Sequence, residues 1–241
     1  MKTNIKELKM IQFTNVFASY SGGNVLIDVS ASFDMGLHYL VGLNGSGKSS
    51  LLKAILNLLP YQGEIQIATK DIQQISRREM AKCIAFVPQQ LTVNFPINVH
   101  DFLRTGRFPY TDFWGNYRKE DELIVEKYIE KLALGDFLKR NLSEVSGGEL
   151  QRIYLARALA QETSIILLDE PAQSLDPKSK EFLYEYLFSL AQTHTILCTT
   201  HDLFPLENEK IWVCGIKKGK ILLHERGGDV RTRLFEEIYV L

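Results

Sequence analysis

The 241-residue chain is poor in cysteine, with only Cys83, Cys198 and Cys214. So sparse and odd a count excludes a disulfide framework. Their neighbours are apolar (Ile84-Ala85-Phe86, Ile196-Leu197, Trp212-Val213). Each therefore reads as a small buried hydrophobe in a reduced compartment. An excess of either charge is also lacking, since 28 Lys plus Arg stand against 29 Asp plus Glu. That balance supplies no field to steer the chain to nucleic acid or an anionic membrane surface. No nucleic-acid partner is expected. No uncharged run approaches the ~20 residues that cross a bilayer. Met1 to Met10 carries lysines without an apolar stretch behind them, so no secretory signal is expected. Any work at a membrane would go through a partner. Repeats and low-complexity tracts are missing too.

What is present is an alternation of strand and helix signals, which argues for an α/β sheet. Ile11 to Phe33 reads as strands broken by a turn at Ser21-Gly22-Gly23-Asn24. His38-Tyr39-Leu40-Val41 is a short apolar run that ends at Gly42. Leu51, Leu52, Ile55, Leu56 and Leu59 then share one helical face, and Pro60 is expected to stop that helix. Gly63 to Ala68 and Cys83 to Val87 look like strands. From Asn98 to Ala160 the texture is helical, with Leu123, Ile124, Tyr128 and Leu132 at helical spacing. Ile165 to Leu168 is an uninterrupted apolar strand, as in a parallel sheet covered on both faces. Phe182, Leu183, Tyr186, Leu187 and Leu190 mark a helix, and Thr195 to Thr200 a strand. Lys217-Lys218-Gly219 joins two strands as a hairpin, and Val230, Leu234, Phe235 and Ile238 outline a last helix. Little chain follows it, so no separate regulatory domain is expected.

Three elements carry chemistry. Gly42-Leu43-Asn44-Gly45-Ser46-Gly47-Lys48-Ser49 fits the phosphate-loop pattern in full, with a strand before it and a helix after. Its glycines let backbone N–H groups wrap a polyphosphate at the helix N-terminus. Lys48 would reach the β- and γ-phosphates of ATP, and Ser49 would ligate Mg²⁺. Ile165-Ile166-Leu167-Leu168-Asp169-Glu170 puts two carboxylates at a strand's C-terminal end, where ligands sit in open α/β sheets. Asp169 would hold Mg²⁺ and Glu170 would polarise the attacking water. Third, Ser146-Gly147-Gly148-Glu149 precedes the apolar-periodic run Leu150 to Leu159. Ser-x-x-Glu there is also a capping box. Two glycines in the first helical turn are costly for capping alone. They suit a phosphate that must approach the backbone closely, where the helix dipole helps to hold it.

On these three elements, in this order, the chain resembles the ATP-binding cassette (ABC) family over nearly its whole length. Val145 to Glu149 resembles that family's signature, with Val145 for the usual Leu and Glu149 for the usual Gln. The resemblance implies one domain over 1–241, built on a P-loop NTPase core of mostly parallel sheet. It adds an antiparallel N-terminal β part and an inserted helical subdomain at about 98–160. It makes Tyr20 the aromatic that stacks on adenine, and counts Asn44, Gly45, Ser46 and Ser50 among the nucleotide contacts. Gln89, in Val87-Pro88-Gln89, would contact Mg²⁺ and the attacking water; His201 would hold the γ-phosphate. Ser174-Leu175-Asp176 resembles the loop that crosses to a second subunit. Two copies would close head to tail around two ATP, each presenting Ser146, Gly147 and Gly148 to the other's nucleotide.

The partners so implied are a second copy, polytopic permease subunits and, indirectly, an extracytoplasmic substrate-binding protein. The chain would sit on the cytoplasmic side of the membrane. Val99 to Tyr110, above all Gly106-Arg107-Phe108-Pro109, resembles a segment of importer ATPases for iron-siderophores, haem and cobalamin. Ala172-Gln173 departs from the small hydroxyl residues common after Glu-Pro, and Tyr61-Gln62-Gly63 is a short link. A soluble ABC protein of repair or translation would bring two cassettes or a long coiled-coil insertion, and neither is seen. A non-hydrolysing regulator would not need Lys48, Asp169, Glu170 and His201 together. An exporter ATPase is often fused to membrane helices.

Overall fold

The computed structural model describes residues 10–90, 96–173, 175–202, 204–228 and 230–239. In chain order its strands are β1 (Ile11–Tyr20), β2 (Gly23–Phe33), β3 (Gly36–Val41), β4 (Tyr61–Ile67), β5 (Lys70–Asp71), β6 (Ile84–Val87), β7 (Ile165–Leu168), β8 (Thr195–Thr199), β9 (Trp212–Lys217) and β10 (Lys220–Arg226). Its helices are α1 (Lys48–Ile55), α2 (Arg77–Cys83), α3 (Val99–Arg104), α4 (Lys119–Lys131), α5 (Gly147–Ala160), α6 (Pro177–Leu190) and the short α7 (Arg231–Arg233), which runs on as a wider helical turn to Tyr239. No helix among the described residues is long and apolar enough to cross a membrane.

Two sheets result. The first is antiparallel, in the order β2-β1-β4-β5; the second runs β10-β9-β3-β8-β7-β6. In the second, β6, β7, β8, β3 and β9 are mutually parallel and only β10 turns back. Its strands are apolar on both faces because both are covered. Tyr39, Ile166, Leu168, Ile196 and Val213 join one core with residues of α4, α5 and α6. Leu40, Ile165, Leu167, Leu197 and Cys214 join the other, with α1 and the antiparallel sheet. The α/β fold expected from the sequence is the fold observed. Cys198 and Cys214 are buried core residues as expected, whereas the half-buried Cys83 ends α2 instead of opening a strand. The segment read as a short link, Tyr61-Gln62-Gly63, opens β4.

Two helices differ from their expected form. α1 stops at Ile55, well before Pro60. Asn57 adopts a left-handed φ of 52°, so the chain turns there and proline only follows. In α4, Leu123 is 64% exposed, while Ile124, Tyr128 and Leu132 pack on the core as their spacing suggests, beside the more deeply buried stripe Asp121, Val125 and Ile129. A charged residue on the buried face hid this stripe from a hydrophobicity pattern. Asp121 is buried because Arg107 Nε donates to its Oδ1 at 2.9 Å, and breaking such a pair strands a buried charge.

Arg107 belongs to the Gly106-Arg107-Phe108-Pro109 segment, whose structural duty is now visible. A Cβ on Gly106 would collide with the carbonyl of Arg157 on α5. Arg107 Nη1 donates to the Ala160 carbonyl at 2.8 Å, a cation at the end of α5 where the helix dipole welcomes it. Tyr110 donates to the Gln161 carbonyl at 2.9 Å, and Gln161 Nε2 donates to Ile84 O at 2.7 Å. The C-terminus of α5 is thereby tied to α4 on one side and to β6 on the other.

Candidate functional site

The parallel register delivers the site residues. β3 ends at Val41 and hands the chain to the phosphate loop; β7 ends at Leu168 and hands it to Asp169. β8, lying between them, ends at Thr199 just before His201. Parallel strands bring these three C-terminal ends to one edge, where open α/β sheets bind their ligands.

The loop needs its glycines. Gly47 has φ 114°, and a Cβ there would lie 2.7 Å from the Val25 carbonyl. A Cβ on Gly42 would collide with the carbonyl of Ile216 and with Ser46 Oγ. The hairpin between β9 and β10 props the loop, because Gly219 N donates to Ser46 O at 2.8 Å. This hairpin was legible in the sequence; its support of the loop was not. Lys48, 5% exposed, donates through Nζ to Gly42 O at 2.8 Å and Leu43 O at 3.3 Å. Burial lowers its pKa from the usual lysine range, while Glu170 and Asp169 pull it back up. The ammonium thus closes the loop on itself, over the cradle an anion would fill.

Val25, Asn44, Gly45, Gly47, Lys48, Ser49, Ser50, Gln89, Glu170, Gln173 and His201 line one cleft of about 500 Å³. Ser49 Oγ donates to Asp169 Oδ1 at 3.1 Å, and Asp169 is 6% exposed. Hydroxyl, carboxylate and the amide oxygen of Gln89 are hard oxygen donors, the set that suits Mg²⁺ completed by phosphate oxygens. The residues present fit that ion.

Glu170 has a left-handed φ of 49°. Both its carboxylate oxygens are engaged. His201 Nε2 lies 2.6 Å from Oε1, and Gln89 Nε2 donates to Oε2 at 3.1 Å. Gln89 Nε2 also donates to Gln173 Oε1 at 3.0 Å. Both N–H groups of Gln89 are so spent, and its Oε1 has no partner among the described residues. Gln173, noticed in the sequence only as a departure, is therefore a neighbour of Gln89. Thr199, which the sequence reading passed over, bonds Asp169 and Glu170 together. Its one advance signal was a hydroxyl at the end of an apolar strand. His201 sits on a turn closed by Asp202 N donating to Thr200 Oγ1 at 2.9 Å, and Lys180 and Tyr184 in turn hold Asp202.

Other expected site residues lie outside the cleft lining. Tyr20, 47% exposed, ends β1 and does not line it. Ser146 caps α5; Glu149 N donates to Ser146 Oγ at 3.4 Å, and Ser146 N donates to Glu149 Oε2 at 2.7 Å. These bonds also hold the Glu149 carboxyl below its usual range. Asp176 caps α6 by accepting from Lys178 N and Ser179 N. Ser174 lies outside the described residues. Ser146 and Gly147 are exposed. A Cβ on Gly147 would meet nothing within 4 Å, and one on Gly148 only Ser179 Oγ at 3.7 Å and Leu175 Cδ2 at 3.8 Å. Neither glycine has a left-handed φ. Contacts among the described residues give no reason for them.

Residues 26–173 match the ABC transporter family. The chain is 40% identical over 195 residues to the chelated iron transport system membrane protein YfeB of Yersinia pestis, an alignment covering 78% of this chain and 65% of that protein. It thus spans just under two thirds of that relative's length. With the petrobactin import ATP-binding protein YclP of Bacillus subtilis it is 30% identical over 235 residues, covering 95% of this chain and 92% of that one. A nucleotide-free ATP-binding cassette from an ABC transporter superposes with a TM-score of 0.83 at 22% identity, covering 97% of this chain and 99% of that one. That likeness bears on the fold alone. The chain belongs to the ABC transporter ATP-binding family.

Proposed function

We propose that this chain is the ATP-hydrolysing subunit of a membrane importer, with cargo of the iron-siderophore, haem or cobalamin-chelate type. The observation that carries the reading is a site in two separated halves. One half is the cleft of Lys48, Ser49, Gln89, Glu170 and His201. The other is an exposed helix start with two glycines that nothing among the described residues requires. A phosphate bound in the cleft of one copy and capped by the Ser146 helix of a second copy gives both halves a use.

In this reading Lys48 leaves the Gly42 and Leu43 carbonyls for the β- and γ-phosphates. Tyr20 supports the adenine. Ser49, Asp169 and Gln89 hold Mg²⁺, which when bound neutralises phosphate charge. Glu170 accepts a proton from the attacking water once His201 has turned from it to the γ-phosphate. Ser146, Gly147 and Gly148 of the facing copy close over that phosphate, and Asp176 lies in the loop that crosses between copies. The helical subdomain at about 98–160 carries the signature. Pairing and release of two copies would drive permease subunits at the cytoplasmic face of the membrane, fed by an extracytoplasmic binding protein. The names of the two curated relatives, chelated iron and petrobactin import, support this cargo class.

Glu170→Gln tests the reading. The variant is expected to bind ATP and pair as an ATP-locked dimer, with turnover lower by about 10²- to 10⁴-fold. Purified as bait from native membranes, it should bring down a polytopic membrane protein. Wild-type turnover in the variant, or wholly soluble partners, would overturn the base assignment or the transport reading respectively.

A further inference from the structure

β7 and β8 run parallel in a register that pairs Leu168 with Cys198. One step further, Asp169 and Thr199 stand side by side at the sheet edge. Thr199 is fully buried. Its hydroxyl has one proton and two lone pairs. The proton goes to Asp169 Oδ1 at 2.7 Å, and a lone pair accepts the Glu170 backbone N–H at 2.7 Å. Asp169 Oδ1 also accepts from Ser49 Oγ at 3.1 Å. Two hydroxyl donors therefore meet on one oxygen of Asp169, leaving Oδ2 for other company. Asp169 N still donates to Val87 O at 2.9 Å, so the strand ladder survives to that residue. At Glu170 it does not. The chain turns off the sheet at φ 49°, and the hydroxyl of Thr199 takes the N–H released by that turn.

We infer that Thr199 is a positioning residue whose single hydroxyl sets the metal-binding carboxylate of Asp169 and the general base Glu170 in fixed relation. The inference rests on the ATPase reading of the cleft. Without the hydroxyl, Asp169 loses one of its two donors and the left-handed turn at Glu170 loses its anchor. Both reacting ends then drift, while the phosphate loop keeps its own support from Gly219.

The test compares Thr199→Val, which keeps the shape, with Thr199→Ser, which keeps the hydroxyl, in the full chain. One readout is steady-state ATPase; the other is Mn²⁺ affinity by electron paramagnetic resonance with a non-hydrolysed ATP analogue. For T199V, kcat is expected to fall by about 10- to 100-fold, the cost of a small misplacement of reacting groups. KM for ATP should stay within about threefold, the split that marks loss of an interaction made in the transition state. Mn²⁺ affinity should weaken by about tenfold, the range for loss of an outer-shell partner of a metal ligand. T199S should restore all three. T199V with wild-type turnover and Mn²⁺ affinity overturns the inference, as does T199S equal in defect to T199V. Should T199V not fold, Thr199→Cys replaces it, since a thiol is a weak donor; wild-type behaviour of T199C overturns the inference. A wild-type chain without turnover would sink the ATPase reading instead, and the Mn²⁺ arm would then decide the role of Thr199.

Discussion

Two glycine segments open two helices of this molecule, and they answer to different demands. In Gly42 to Gly47 the chain's own backbone enforces glycine, through the Ile216 carbonyl against Gly42 and the Val25 carbonyl against Gly47. In Gly147-Gly148 a methyl group would fit at either position. The first segment is specified from inside the molecule. The second forgoes helix propensity, roughly 1 kcal/mol per glycine in a helix interior, with no return among the described residues. A residue type that the folded chain tolerates changing, yet that costs it stability, points outward to something that docks there.

Breaking this contrast should be easy to see in stability. Gly42→Ala has the largest expected effect, a loss of about 3 kcal/mol or more, because the obstacle is backbone that cannot step aside. Urea unfolding of the nucleotide-free chain reads it; an unchanged midpoint would mean the loop has room that its geometry denies. Acid should come next, and between about pH 7 and pH 5 it should act on the phosphate-loop side first. His38, on the strand that leads into the loop, is buried against His224, Trp212, Arg226 and the Asp34 carbonyl. Its Nε2 faces the Asp34 carbonyl at 2.8 Å and so carries the proton, leaving Nδ1 to accept from His224 Nε2 at 3.3 Å. Burial, above all, pushes its pKa down to about 4.

A depressed histidine stabilises the fold at neutral pH. As pH falls through about 6.5 the unfolded chain takes up the proton first, and the stability drains away until about pH 4. Between pH 7 and pH 5 the expected loss is about 2 kcal/mol. Hydrogen exchange should quicken at 36–47 before 146–150; the reverse order would place the acid-sensitive contact elsewhere. The smallest change is expected of Gly147→Ala. It should leave the free chain as stable, or raise stability by about 0.5 kcal/mol, while ATP-driven pairing on a sizing column fails. A variant that pairs normally would return Gly147 to the status of an ordinary helix residue.

How much of this was legible in the sequence follows the same division. Gly42 to Ser49, Asp169 and Glu170 announced themselves as chemical types at a strand end, and the family resemblance added Gln89 and His201; Lys48, Ser49, Gln89, Glu170 and His201 line one cleft, with Asp169 bonded to Ser49. The α/β fold was legible for the same reason. Thr199 was silent, since a threonine in an apolar strand says nothing until its neighbour strand is known. The buried face of α4 was legible at Ile124, Tyr128 and Leu132 but not at Asp121, which only Arg107, 14 residues earlier, makes an inside residue. Gly106 to Pro109 was read for its resemblance to importers. Its work in the molecule is packing and capping against α5.

That packing gives α5 a mechanical character. Fourteen residues make a rod about 21 Å long. One end is clamped, through Arg107, Tyr110 and Gln161, to α4 and β6. The other end, at Ser146, is exposed. If this rod pivots as a rigid body with its fulcrum at Gln161, Ser146 is the end that moves most. A swing of about 5° at the clamp carries the tip by about 2 Å over that length, the difference between a helix start that touches a phosphate and one that does not. β6, which takes the fulcrum's load, leads directly to Pro88 and Gln89. The clamped end of the helix and the cleft are thus joined by one four-residue strand.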